Sequence, residues 1–206
     1  MGVVFIVILR VARDDTREPQ GDDAALQPTR ARSQNRIEYD KPTRLAPGVW
    51  MTGPVPRTYP EKNWSVSGQL RTASGLAEDT VPEDSSIVVQ TAPGLVVVSG
   101  CGHAGIVNTL EYAQKAVQNT QVHAAIGGFH LFRATDEQLD WTAEKLRTFG
   151  LRNLMGAHCT GIDAVYGIRR RLGLGRGACV VGAVGDGTPA GRADPSASAV
   201  RAIDSR

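Results

Sequence analysis

The chain has 206 residues, 41% of them apolar and 21% charged, with a net charge of +2. That is enough for one globular core with tails, and too little net charge to point to nucleic acid or an acidic partner. Three cysteines, Cys101, Cys159 and Cys179, make no disulfide framework; an odd count without a secretory signature predicts a reducing, cytoplasmic setting.

Gly2 to Leu9 is apolar throughout, but a bilayer span needs about 20 such residues. No basic region precedes the run and no small-residue cleavage site follows it, so it reads as a strand or an upstream remnant. Residues 10–45 are polar, charged and without apolar periodicity, which reads as linker or disorder. Order is expected from Leu45, where Pro47-Gly48 forms a turn feeding a short strand through Val49 and Trp50. The expected organisation is a tail over 1–40, a folded part over 41–186 and a disordered Gly/Pro/Ala-rich tail over 187–206.

Ser86–Thr91 and Leu95–Ser99 are strand-like runs around Ala92-Pro93-Gly94, which predicts a hairpin. Ile106, Leu110, Ala113 and Val117 then mark one face of a helix over 105–118. Val122–Ile126 is a strand ending in Gly127-Gly128-Phe129-His130. Thr135 with Gln138 forms a capping box for a second helix, and Gly150 follows its last turn. Leu151–Ala157 is a strand ending in His158-Cys159-Thr160-Gly161. A third helix runs to Leu172, with Gly173 behind it; Arg169-Arg170-Arg171 in its last turn suits the helix dipole. Ala178–Val184 closes the series. A hairpin, then strand and helix three times, then a strand, is α/β layering.

The four histidines are His103, His123, His130 and His158. His103, His130 and His158 each follow the C-terminal end of a predicted strand, the edge where open α/β sheets bind ligands. His123 begins a strand and reads as structural. Imidazole suits zinc, iron or manganese and binds when neutral, a form that the positive end of a helix dipole favours. Cys101 and Cys159 flank two of these histidines. They read either as half of a Cys2His2 zinc site or as small buried residues beside the site, and the spacing is not that of a finger or ribbon.

Gly100, Gly102 and Gly105 fit the letters of a dinucleotide loop. Such a loop needs an acidic residue at the end of the next strand, and Gly127-Gly128-Phe129-His130 has none. Its strand also belongs to a hairpin. A dinucleotide-binding module is therefore a rival, and the glycines read better as turn residues that present His103.

SGCGHAGIVNTLEYA, IGGFHL and HCTG together resemble the C-terminal part of metallo-β-lactamase-fold proteins. The branch concerned includes 7,8-dihydropterin-6-methyl-4-(ribofuranosyl)aminobenzene 5′-phosphate synthase-like proteins. LAPGVWMTGPVPR and VVGAVG are similar to flanking segments of that branch. The resemblance implies an αββα sandwich, a zinc-type metal site, and hydrolase or transferase chemistry through a metal-activated water. It implies that His103 and His158 are metal ligands, and it sets His130 near a bridging aspartate of many relatives. The family's His-x-His-x-Asp-His motif is missing, since no histidine precedes His103. The expectation is a partial domain of low or no activity, or a half-domain that needs a partner chain. Its uncovered sheet face would invite self-association. A small-molecule substrate is expected, with phosphate-containing compounds among the candidates, and no membrane or nucleic-acid partner.

Overall fold

A computed structural model describes residues 39–62, 69–78, 84–117, 120–183 and 186. The readings of the apolar N-terminal run and of the tail over 187–206 lie outside the described residues.

The strands are β1 (Thr43–Ala46), β2 (Val49–Met51), β3 (Gln69–Thr72), β4 (Gly75–Glu78), β5 (Ser86–Thr91), β6 (Gly94–Ser99), β7 (Val122–Gly127), β8 (Asn153–Gly156) and β9 (Cys179–Val181). The helices are α1 (Ile106–Val117), α2 (Asp136–Thr148) and α3 (Ile162–Leu172). Seven strands form one sheet in the order β1-β2-β5-β6-β7-β8-β9, and β3 pairs with β4 separately. The sheet is antiparallel from β1 to β6 and parallel from β6 to β9. Each parallel step needs a crossover, and α1, α2 and α3 supply the three.

The register separates two faces. Trp50, Val88, Val97, Ala125, Leu154 and Cys179 are successive cross-strand partners. They pack with Leu110, Leu146 and Ile168 from the three helices in one core, so all three helices cover the same face. Met51, Ile87, Val98, Ile126, Met155 and Val180 form the adjacent row, on the opposite face. This layering is the α/β class expected from the sequence, with one helical layer on one mixed sheet.

The helix ends follow the local chemistry. Gln138 N–H donates to the Thr135 hydroxyl at 3.3 Å and Thr135 N–H donates to Oε1 of Gln138 at 2.8 Å. Gly150 and Gly173 both take positive φ behind α2 and α3. Of the arginine run, Arg171 bridges α3 to Asp136 and Asp140 of α2.

The linker reading of residues 10–45 fails at its end, because Thr43–Ala46 is strand β1. β1 is an exposed edge strand with a register shift between Arg44 and Ala46. An exposed edge needs no apolar alternation, so the sequence pattern does not betray it. The β3–β4 hairpin is likewise absent from the sequence reading.

Candidate metal centre

The C-terminal ends of β6, β7 and β8 lie side by side, and three loops leave them together. Backbone bonds lock the loops to one another. Gly128 N–H donates to the Gly100 carbonyl at 2.9 Å, and Ala157 N–H to the Gly127 carbonyl at 2.8 Å. The Thr160 hydroxyl donates to the Gly127 carbonyl and accepts from Phe129 N–H, both at 3.1 Å. Side chains on the three loops therefore meet although the sequence separates them by up to 58 positions.

His130 sits in the middle. Phe129 and Leu131 are buried in the core on either side of it. They hold His130 at φ 48°, the left-handed region that a non-glycine residue seldom enters. The residue is 9% exposed, and its Nδ1 is buried without a hydrogen-bond partner. Burial, then the neighbouring His103, His158 and Arg57, push its pKa down to about 4. The ring is therefore neutral and keeps a lone pair at neutral pH.

His103 stacks obliquely on His130, with ring centroids 4.5 Å apart. His158, on a short 3-10 turn over His158–Thr160, places Nδ1 4.0 Å from Sγ of Cys101. Cys159 Sγ contacts the Cys101 carbonyl at 3.2 Å. Burial pushes the Cys159 thiol up to about 12, against the His130 backbone N–H, which favours the thiolate. The potential ligand atoms of Cys101, His130 and Cys159 lie within 4.8 Å of one another. The fold thus gathers His103, His130 and His158 with both cysteines, as the strand ends predict. The closest-knit group, however, has two sulfurs and one imidazole, with His103 and His158 beside it. His123 is elsewhere, with Nε2 3.0 Å from Nδ2 of Asn153.

The glycines make room for this convergence. A Cβ on Gly128 would lie 2.5 Å from Sγ of Cys159 and 2.6 Å from Cε1 of His158. Gly105 has φ 94°, and a Cβ there would strike the Glu61 carboxylate. Gly100, Gly102 and Gly127 carry the loops around the same site.

Three residues that support the site escaped the sequence reading. Asp84 accepts the Ala104 N–H at 2.8 Å and has an oxygen 4.0 Å from Nδ1 of His103; burial raises its pKa. Arg57 donates to the carbonyls of both His103 and Glu61. Glu61 accepts the Val107 and Asn108 N–H groups at the start of α1. Burial raises Glu61 to about 7, although both N–H groups oppose the shift. Glu61 and Asp84 lie in no recognisable motif, and Arg57 ends the segment LAPGVWMTGPVPR without its role being legible there.

A pocket of about 320 Å³ opens next to His130. Glu61, Lys62, Phe129, Gln138 and Trp141 are among its walls.

No known family profile matches the chain. Over 131 residues it is 31% identical to 7,8-dihydropterin-6-methyl-4-(beta-D-ribofuranosyl)-aminobenzene-5'-phosphate synthase of Methanocaldococcus jannaschii, covering 60% of this chain and 43% of that protein. Over 126 residues it is 25% identical to the uncharacterized protein MJ0448 of the same organism, covering 61% and 45%. The chain thus spans less than half the length of these two relatives. It also resembles the crystal structure of Tm1679, a metal-dependent hydrolase of the beta-lactamase superfamily. There the TM-score is 0.57 and the identity 24%, over 71% of this chain and 54% of that one. The fold likeness agrees with the resemblance carried by the three loop motifs.

Proposed function

We propose that the chain is the second part of a metal-dependent domain of hydrolase type, or of a related transferase, acting on a small phosphate-bearing molecule. One observation carries this reading: three histidines and two cysteines converge at the edge of the parallel strands, around a buried imidazole nitrogen without a partner. The fold likeness to a metal-dependent hydrolase supports a divalent ion there. His103, His130 and His158 are the proposed ligands, zinc the proposed ion, and manganese or iron alternatives that imidazole also accepts. Such an ion supplies Lewis acidity and brings the ionisation of water close to neutral pH.

The protein's own part is positional. Packing on Phe129 and Leu131 fixes His130, Asp84 stands behind His103, and the pocket next to His130 gives a small molecule a place beside that imidazole. The phosphate class is taken from the pterin-phosphate synthase relative, whose name includes one. All three cysteines are free, which suits a reducing cytoplasm. No helix among the described residues is long and apolar enough to cross a membrane.

The histidine-rich motif expected ahead of His103 is not in this sequence, so weak metal binding and slow turnover are expected. Metal content and hydrolysis of bis(4-nitrophenyl) phosphate, with and without chelator, test this. Slow, chelator-sensitive turnover supports it. Two tightly held ions with fast turnover overturn the partial-domain reading, and a metal-free, inert chain overturns the metal reading.

A dinucleotide at Gly100–Gly105 is disfavoured, because Glu61 already occupies the α1 N–H groups that would face a pyrophosphate. A non-catalytic half-domain completed by a second β layer is favoured by the apolar row through Ile87, Val98 and Ile126, where Val98 is 37% exposed. A concentration-dependent dimer in light scattering supports that reading.

A further inference from the structure

We infer that Cys101 and Cys159 are direct ligands, so that the ion is held by two thiolates and the His130 imidazole rather than by imidazoles alone. The inference deepens the metal reading above and rests on it only in that an ion is bound at these loops. The Cys159 thiol donates to the Cys101 carbonyl at 3.2 Å, a bond that would suffice for a structural cysteine. Yet the three candidate ligand atoms lie mutually within 4.8 Å. Around a tetrahedral zinc ion, sulfur at ~2.3 Å and nitrogen at ~2.0 Å lie about 3.6 Å apart. A contraction of about 1 Å therefore closes the site.

Three features of this chain point to the same group. His130 Nδ1 is buried without a partner, in a residue only 9% exposed, so a polar atom is held out of water with no protein group to satisfy it. The backbone conformation at His130 is strained, and such strain persists where the surroundings over-determine it. Gly128 leaves space beside Sγ of Cys159, where a Cβ would lie 2.5 Å away. His158, 4.0 Å from Sγ of Cys101, stands next to the fourth position.

The ligand chemistry this predicts is thiophilic. Two sulfurs favour zinc and cobalt(II) over magnesium, calcium or manganese. Each thiolate bound to cobalt(II) adds a near-ultraviolet sulfur-to-metal charge-transfer band, and imidazole adds none. The test is a titration of the full chain with cobalt(II) under a phosphine reductant, which keeps the thiols free. The expected result is a charge-transfer band that saturates at one equivalent and is displaced by zinc. Cys101→Ser and Cys159→Ser should each remove about half of it, and His123→Ala, at the histidine outside the site, should leave it. Circular dichroism of each variant confirms folding, and equilibrium dialysis counts bound cobalt independently of the band. Cobalt bound without the band overturns the inference and leaves the imidazole site of the proposed function standing. A folded chain that retains no cobalt overturns both.

Discussion

Glu61 accepts the backbone N–H of Asn108 at 2.7 Å, so a residue 47 positions earlier closes the start of α1. Its other carboxylate oxygen accepts Val107 N–H at 3.0 Å. A carboxylate on a helix N-terminus is favourable, but here burial outweighs the two bonds and raises the acid to about 7.

That balance fixes a pH dependence. The folded chain holds the Glu61 proton up to about 7, whereas an unfolded carboxyl releases it near its ordinary value of 4.5. Between these values the folded state binds more protons, so stability falls as pH rises. The contribution is complete below 4.5 and lost above 7, and amounts to about 3 kcal/mol at ~1.36 kcal/mol per unit. Urea unfolding of the wild type and of Glu61→Gln at pH 5 and pH 8 checks it. The wild type should lose stability over that range by more than the variant does.

Asn108 should be the most sensitive polar residue of the scaffold. Its Oδ1 accepts Thr58 and Tyr59 N–H at 2.8 and 2.7 Å, and its Nδ2 donates to the carbonyls of Ala104 and Tyr59. Asn108→Ala strands several buried groups, and a loss of about 2–4 kcal/mol is expected. The denaturation midpoint should fall with the slope unchanged; a loss under 1 kcal/mol contradicts the assignment.

Arg171 offers the contrast. It meets Asp136 and Asp140, whose side chains are 80% and 68% exposed. Exposed pairs contribute about 0–1 kcal/mol. Arg171→Ala should therefore shift the midpoint far less than Asn108→Ala, and the shift should vanish in high salt.

Gly128→Ala tests the site without touching a ligand. Its Cβ must displace Cys159 or His158, and metal affinity should fall at least tenfold in a competition titration against a chelating dye. An unchanged affinity means that the ligands converge less tightly than the structure shows.

The parts of the fold legible in the sequence are those with local causes. Apolar spacing within α1 and the Thr135–Gln138 box lie within one element, and the glycines at 150 and 173 act on the helix they follow. The three strand-end histidines were legible because each repeats the same strand–loop–helix setting. Glu61, Asp84 and Arg57 were not, because each acts on a loop some 20 to 47 positions away. Isolated charges in turn-rich stretches look like ordinary solvated residues. The cysteines were seen as neighbours of the histidines; that their sulfurs face His130 follows only from the pairing of β6, β7 and β8.

The cap on α1 has a kinetic consequence. The N–H groups of Val107 and Asn108 are protected by Glu61, Ala104 N–H by Asp84, and the His103 carbonyl is held by Arg57. The stretch around residues 57–61 and the loop carrying His103 thus form one opening unit. Hydrogen exchange at Ala104, Val107 and Asn108 should proceed through a shared event, slower than fraying of α1 at its far end. A slow clock at those three amides reports how often the loop of His103 comes undone.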